Sequence, residues 1–215
     1  MSLSPVYAIV DGDVLARRGL DLVTAAEALL EGGVTLMQLR WKGHYSAQVY
    51  QQAVRIAELT REAGATFVVN DRADIAALLN AGVHIGQDDL PPADVRRVVG
   101  PDTVIGISTH NAGQFEQAIQ EPVSYIALGP IYGTISKERP DPVVGITELA
   151  LLRQAWQGPL VAIGGITRER APEVWRSGAD SVAIIGDLYP EQASKSSVRD
   201  RAEEWMRIAN EQSRR

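Results

Sequence analysis

The chain has 215 residues, of which 45% are hydrophobic, so it can bury the core of one compact domain. Its formal net charge of −6 argues against a nucleic-acid partner but allows a locally basic site for a small anion. It has no cysteine, which excludes disulfides and thiol catalysis. Residues 1–5 lack a signal-peptide pattern and no apolar run reaches membrane-spanning length, so we expect a cytoplasmic protein without a membrane partner.

Eight short apolar runs recur along the chain. They are Val6–Val10, Val34–Leu39, Thr66–Val69, Val83–Ile85, Thr103–Ile107, Ser124–Leu128, Leu160–Ile163 and Ser181–Ile185. Most of the runs are continuously apolar, which is typical of parallel strands that are buried on both faces. Polar or glycine-rich residues follow nearly every run.

Helical spacing of apolar residues predicts the connecting segments. The predicted helices are Leu22–Glu31, Tyr45–Ala63, Ala73–Leu79, Asp94–Val99, Asn111–Ile119, Thr147–Trp156, Arg170–Ser177 and Val198–Glu211. Eight strand–helix units predict an α/β fold, a single (β/α)8 TIM barrel spanning residues 1–215 as one catalytic domain. An open doubly wound sheet is the alternative. Barrel active sites lie in the loops that follow the strands, so we expect the functional residues there.

Glycines follow the last two predicted strands. Gly164, Gly165 and Gly186 leave main-chain amides uncovered, and barrels commonly bind phosphate at these two loops. Tight turns would explain the glycines equally well at either position taken singly. Their occurrence at both positions favours a phosphorylated small molecule.

Carboxylates and cations follow the second, third and fourth predicted strands. Asp71 and Asp89 could share a hard divalent cation, although each could instead cap a helix. Arg40 and Lys42 are two residues apart and share a strand face with Gln38, provided that the strand continues that far. A metal site beside several cations favours a diphosphate ligand.

The segment Gly129–Lys137 combines glycine, hydroxyl side chains and Lys137, which is typical of either a closing loop or a flexible surface loop. Among the histidines, we expect His84 to be a hydrogen-bonded core residue. His110 lies either near the substrate or simply at the start of a helix. No order of nucleophile, histidine and acid suggests acyl chemistry.

Five segments in sequence order resemble the thiamine-phosphate synthase family. They are Gln38–Lys42, Val69–Arg72, His84–Asp89, Gly129–Lys137 and Ile163–Thr167. The resemblance covers about residues 6 to 186 and implies a transferase that joins hydroxymethylpyrimidine diphosphate to thiazole phosphate, releasing diphosphate.

The resemblance also implies roles for individual residues. Asp71 and Asp89 are expected to bind one Mg2+. The expected pyrimidine diphosphate ligands are Gln38, Arg40, Lys42, Asn70, Ser108 and Lys137, and the expected thiazole phosphate ligands are Thr134, Ser136, Gly165, Ile185 and Gly186. Of these, Arg40, Lys42, Ser108 and Lys137 are expected to take part in catalysis.

The implied reaction is dissociative: diphosphate leaves, and the thiazole nitrogen captures the resulting pyrimidine cation. Such chemistry depends on stabilising the charge of the leaving group. Two alternatives are a thiazole tautomerase on the same barrel and a non-catalytic binding protein. Neither needs a diphosphate site, so the retained Asp71, Asp89 and Lys137 favour the synthase. A homo-oligomer is possible, since Trp156, Trp175 and Trp205 could each lie in the core or in an interface.

Overall fold

The computed structural model describes residues 3–133 and 141–212, which form a closed barrel of eight parallel strands in chain order. The strands are β1 Val6–Asp11, β2 Leu36–Arg40, β3 Thr66–Asn70, β4 Gly82–Ile85, β5 Ile105–Thr109, β6 Tyr125–Leu128, β7 Leu160–Ile163 and β8 Ser181–Ile184. Since β1 pairs with β8, the sheet has no free edge. The predicted (β/α)8 barrel is confirmed, and the open doubly wound sheet is wrong.

Helices separate the strands and cover the outside of the barrel. They are α1 Gly12–Arg18, α2 Leu22–Glu31, α3 Ala47–Glu62, α4 Ala73–Leu79, α5 Pro92–Val99, α6 Ala112–Ala118, α7 Gly145–Ala155, α8 Ala171–Arg176 and α9 Lys195–Gln212. A short 3-10 helix, Gly186–Leu188, follows β8. The bounds of α2 and α4 agree with the prediction at both ends. Asn111, the first residue of a predicted helix, is the N-cap of α6, and its side chain accepts a hydrogen bond from the amide of Gln114.

Helix α1 was not predicted, because residues 11–13 looked like a loop following a strand. Asp11 instead ends β1 and caps α1, its carboxylate accepting a hydrogen bond of 2.9 Å from the amide of Val14. The helix has only seven residues and ends at Gly19, whose φ of 69° is left-handed. So short a segment shows little apolar periodicity.

Strands β1, β2, β3 and β5 end one or two residues later than the sequence predicts, whereas β4, β6 and β7 end as predicted and β8 ends one residue earlier. Arg40, Asn70, Ser108 and Thr109 are the last residues of their strands rather than the first residues of loops. Polar residues can extend these strands because the inner face of the barrel mouth is a cavity that accommodates hydrogen-bonding groups.

Side chains alternate along each strand between the surrounding helices and the barrel interior. The interior apolar cluster consists of Leu3, Tyr7, Ile9, Leu36, Val68, Tyr125, Ala127, Val161 and Ala183. Tyr125 fits there because its partner on β5 is Gly106. A Cβ at residue 106 would lie 2.0 Å from Cζ of the tyrosine ring.

The last helix closes the outer layer. Trp205 on α9 is fully buried and meets the ring of Trp175 edge-on, with centroids 6.4 Å apart. Trp205 therefore belongs to the core, while Trp156 and Trp175 are half-buried and pack against it. Within residues 3–133 and 141–212, no helix has the length and apolar character needed to cross a bilayer.

Replacing Gly106 by alanine is expected to destabilise the fold by about 1–3 kcal/mol, since the added methyl group overlaps the Tyr125 ring. Gly113→Ala is the matched control, because Gly113 lies on exposed helix α6 with its nearest contact 3.5 Å from an added Cβ. Urea unfolding followed by circular dichroism measures both variants. Equal stability of the two would contradict the proposed packing.

Candidate active site

Two adjoining cavities open at the carboxyl ends of the strands. The first, about 520 Å³, is lined mainly by residues of β1 to β5 and of the loops that follow them, and it contains seven residues predicted to bind the pyrimidine diphosphate or the metal. These are Gln38, Arg40, Lys42, Asn70, Asp71, Asp89 and Ser108. The second, about 440 Å³, lies mainly over β6 to β8. Ser108, His110, Ile163 and Ile185 line both, so two small ligands bound there would touch.

Arg40 is held by a buried carboxylate. It forms an ion pair with Asp11, which is only 1% exposed and lies directly opposite Arg40 in the β1–β2 register. The same carboxylate caps α1. An Arg has five N–H donors, so this pair leaves several of them for a ligand while it fixes the position of the guanidinium.

Lys42 lies beyond the end of β2, so the strand does not continue far enough for Lys42 to share its face with Gln38 and Arg40. Its side chain is 47% exposed but still lines the first cavity, where its ammonium group contacts the carboxylate of Asp71. Gln38 lies deeper, as predicted, and is 2% exposed. The cavity thus has an amide at its base and two cations nearer its rim.

Asp71 and Asp89 are neighbours across the first cavity, and neither caps a helix. Helix α4 begins after Arg72 and α5 after Pro91, both without a side-chain cap. Asp71 has a φ of 64°, a left-handed conformation that is uncommon for residues other than glycine. Such backbone strain is frequent in functional sites.

Burial raises the pKa of the Asp89 carboxyl, and the negative charge of Asp71 raises it further. The amide of Gly86 acts in the opposite direction by donating a hydrogen bond of 2.7 Å to Asp89. Two carboxylates held this close repel one another, and a cation between them would relieve that repulsion. Among residues 3–133 and 141–212 no group of three or more histidine or acidic side chains forms a metal cluster. The pair meets the needs of Mg2+, which commonly takes one or two carboxylates along with water and substrate phosphates.

Asn70 and Ser108 complete the polar lining of the first cavity. Asn70 is 6% exposed, and its side-chain amide nitrogen Nδ2 has no hydrogen-bond partner among the described residues. An unpaired buried donor is costly unless a ligand accepts from it, which fits an anion in this cavity. The Ser108 hydroxyl lies 2.8 Å from Nε2 of His84.

The two histidines of the strand ends have different surroundings. His84 is buried within β4 and hydrogen-bonded through both ring nitrogens, which confirms the prediction of a core residue, although it also lines the first cavity. His110 precedes the N-cap Asn111, and its Nδ1 lies 2.6 Å from the carbonyl oxygen of Gly129. It lines both cavities, so the two alternatives for His110 are compatible.

The second cavity has a glycine-rich wall. Gly164 and Gly165 have φ angles of 100° and 60°, which other residues rarely adopt. A Cβ on Gly165 would lie 2.4 Å from the carbonyl oxygen of Gly133, so the loops after β6 and β7 are in close contact. Gly165, Ile185 and Gly186 line this cavity, as predicted for the thiazole phosphate site. Three further residues that the resemblance assigns to substrate binding lie outside the described residues, namely Thr134, Ser136 and Lys137.

Asp187 anchors the wall of the second cavity to the last helix. Its carboxylate accepts hydrogen bonds of 2.9 Å from Nε of Arg168 and from Nε1 of Trp205, and Arg201 lies nearby. Burial raises the pKa of Asp187, while the two arginines act against this rise. The Asp187 charge is thus already matched by cations behind the cavity.

Arg170 brings an exposed cation to the rim of the second cavity. Its guanidinium lies 4.5 Å from the ring centroid of Tyr132 and donates a hydrogen bond of 3.1 Å to the carbonyl oxygen of Gly165. No described carboxylate forms an ion pair with Arg170. The sequence does not indicate this role, because Arg170 is the first residue of the predicted helix Arg170–Ser177.

Asp11, Asp141, Arg170 and Asp187 are charged residues in or beside the site that sequence reasoning missed, and Asp141 lines both cavities. For Asp11 a signal existed, since an acid at the end of one strand and Arg40 at the end of the next lie side by side in a parallel sheet. Asp187 could not be recognised in this way, because its partners come from the last helix and from the loop after β7.

The family model for thiamine monophosphate synthase, TMP-TENI, matches residues 6–188. The thiamine-phosphate synthase of Koribacter versatilis is 43% identical over 211 residues, which covers 97% of each chain. Thiamine-phosphate synthase 1 of Aquifex aeolicus is 41% identical, over 85% of this chain and 84% of its own.

A solved structure supports the same relationship. Thiamine phosphate pyrophosphorylase from Pyrococcus furiosus superimposes with a TM-score of 0.83 and is 30% identical, with 96% of each chain covered. The resemblance inferred from the five segments is therefore confirmed. The chain belongs to the thiamine monophosphate synthase family and is a transferase of thiamine biosynthesis.

Proposed function

We propose that this enzyme joins hydroxymethylpyrimidine diphosphate to thiazole phosphate, giving thiamine phosphate and diphosphate. The carboxylated form of the thiazole would give the same products with loss of carbon dioxide and uptake of a proton at the ring carbon. The observation that carries the proposal is the convergence of seven predicted diphosphate and metal residues in one cavity that adjoins a glycine-walled one. We also propose that the reaction takes place in the cytoplasm, in keeping with its phosphorylated small-molecule substrates.

The first cavity suits the pyrimidine diphosphate. Arg40, fixed by Asp11, and Lys42, beside Asp71, bring two cations towards the diphosphate oxygens. The Asn70 amide, which has no partner among the described residues, adds a neutral donor. Asp71 and Asp89 would hold Mg2+, which when bound supplies positive charge to the leaving diphosphate.

In the reaction, the bond between the pyrimidine methylene carbon and the diphosphate oxygen breaks, and its electron pair leaves with the diphosphate. The thiazole nitrogen then donates its lone pair to the methylene carbon. No proton transfer by the protein is required for either step. The chain's contribution is to bind the leaving group with preorganised charges and to hold the two substrates in contact across the shared wall of Ser108 and Ile163.

The second cavity suits the thiazole phosphate. Main-chain amides of its glycine wall can donate to the phosphate, and Arg170 supplies positive charge at its rim. A tautomerase would use this cavity by itself. Retention of the cation and carboxylate set in the first cavity favours the synthase over both the tautomerase and the non-catalytic binding protein.

Asp71→Ala is expected to lower kcat by about a hundredfold or more, the scale of losing one preorganised electrostatic group. We expect the same of Lys137→Ala from the sequence resemblance. Diphosphate release and thiamine phosphate formation are measured together, with Mg2+ and both substrates saturating. Asp74→Ala is the matched control, since Asp74 is an exposed helix residue paired with Arg72. Rates near wild type for both Asp71→Ala and Lys137→Ala would refute the assignment.

Arg170→Gln is expected to raise KM for thiazole phosphate about tenfold, because a charge-assisted contact to the phosphate is lost. KM for the pyrimidine diphosphate should stay within about twofold. Arg176→Gln removes the same charge six residues further along, at the end of α8, where among the described residues the side chain donates to the carbonyl oxygen of Pro172. A thiazole phosphate KM that Arg170→Gln leaves at the wild-type value would contradict this role.

A further inference from the structure

A continuous chain of hydrogen bonds crosses the barrel beneath the first cavity. Gln38 Nε2 donates to the Tyr7 hydroxyl at 2.7 Å, and this hydroxyl lies 2.8 Å from that of Tyr125. The Tyr125 hydroxyl lies 2.9 Å from His84 Nδ1, and His84 Nε2 lies 2.8 Å from Ser108 Oγ. The first four side chains are buried. Gln38, Tyr7, His84 and Ser108 line the cavity, and Tyr125 joins them from beneath it.

The donor at one end, together with the need of each buried hydroxyl proton for an acceptor, sets the direction of the bonds in this chain. The nitrogen of a Gln side chain can only donate, so the Tyr7 oxygen accepts from it. The proton of Tyr7 then has the oxygen of Tyr125 as its acceptor, and the proton of Tyr125 in turn has His84 Nδ1. Burial raises the pKa of both tyrosines, which keeps these hydroxyls protonated.

The direction continues through the imidazole to the cavity. A neutral imidazole that accepts at Nδ1 carries its proton on Nε2. His84 therefore donates to Ser108 Oγ, and the Ser108 hydroxyl keeps its own proton for a group in the cavity. At the other end, the nitrogen of Gln38 is engaged with Tyr7, and its carbonyl oxygen is the acceptor on the same amide.

We propose that Tyr7, Tyr125 and His84 are positioning residues that make Ser108 a donor and Gln38 an acceptor towards the substrate. This rests on the proposed function, because an aminopyrimidine presents the complementary pair: an exocyclic amino group that donates and ring nitrogens that accept. A pyrimidine with a carbonyl oxygen in place of the amino group would meet the Gln38 oxygen with a second acceptor. The hydrogen-bond chain would thus select the aminopyrimidine over its oxo analogue.

The direction of the chain can be measured without any substrate. The sequence has three histidines, so two-dimensional 15N–1H NMR of uniformly labelled protein resolves them, and His84→Gln assigns the signal of residue 84. The expected result is a neutral His84 with its proton on Nε2. Tyr125→Phe removes the donor to Nδ1 and should introduce the other tautomer. A wild-type His84 protonated on Nδ1, or cationic at neutral pH, would overturn the proposal.

Kinetics test the consequence for the substrate. Tyr125→Phe is expected to raise KM for the pyrimidine diphosphate about tenfold, because the Ser108 hydroxyl can then turn towards His84. KM for thiazole phosphate should not change. Tyr189→Phe is the matched control: it removes an equally buried hydroxyl, which donates to the carbonyl oxygen of Ile9 outside the chain. Equal effects of the two variants, or none in Tyr125→Phe, would overturn the proposal.

A second variant keeps the test decisive should Tyr125→Phe fail to fold. Tyr7→Phe interrupts the chain next to Gln38 and is judged by the same His84 spectrum and the same KM comparison. Thermal unfolding of each variant separates a loss of stability from a loss of substrate recognition. If the wild-type protein made no thiamine phosphate, the proposed function would fail. The His84 spectrum would still decide the direction of the chain.

Discussion

The closed register of the barrel is the constraint on which the site depends. Every strand is hydrogen-bonded on both sides, so a strand cannot slip by one residue without turning its inner side chains towards the helices. The fixed register keeps the side chains of Gln38 and Arg40 on the inner face of β2. It likewise keeps Asn70, His84 and Ser108 on the inner faces of β3, β4 and β5. Which residues line the site is therefore decided mainly by the alternation of inward and outward side chains along each strand. Only the rim of the site depends on the conformation of the loops.

The rim is preorganised by charge pairs inside an acidic protein. A net charge of −6 would by itself repel a diphosphate, so attraction has to be local. Asp11 holds Arg40 from below while leaving most of its donors unused, and Asp71 plays a similar part for Lys42. Each acid orients a cation before the substrate arrives, which reduces the reorganisation needed at the moment when negative charge develops.

Much of the fold followed from the sequence because its signals are local. Continuous apolar runs predicted eight strands, and helical spacing together with glycines placed α2 and α4 to the residue. The site residues at strand ends could be predicted in the same way, because the barrel topology brings the ends of consecutive strands together. Whether Asp71 capped a helix was settled only by the structure, in which Arg72 occupies the N-cap position of α4 and no side chain caps the helix.

Long-range polar contacts could not be predicted. Tyr7 and Tyr125 are 118 residues apart, and each lies in an apolar run that indicates an ordinary core residue. Their hydroxyls meet only because Gly106 leaves room for the Tyr125 ring. Tyrosine and phenylalanine are equivalent in an apolar pattern. The periodicity of the sequence therefore could not predict that the tyrosine hydroxyls form hydrogen bonds inside the barrel.

The hydrogen bond between Asp187 and Trp205 has a consequence for biosynthesis of the chain itself. Asp187 borders the second cavity, and its partners Trp205 and Arg201 lie on the last helix. Polypeptides leave the ribosome from the amino end, so a nascent chain can pair its first strands long before these partners emerge. Until α9 has left the ribosome, the Asp187 carboxylate lacks its tryptophan donor and one of its arginines. Completion of the wall of the second cavity therefore waits for the emergence of this helix.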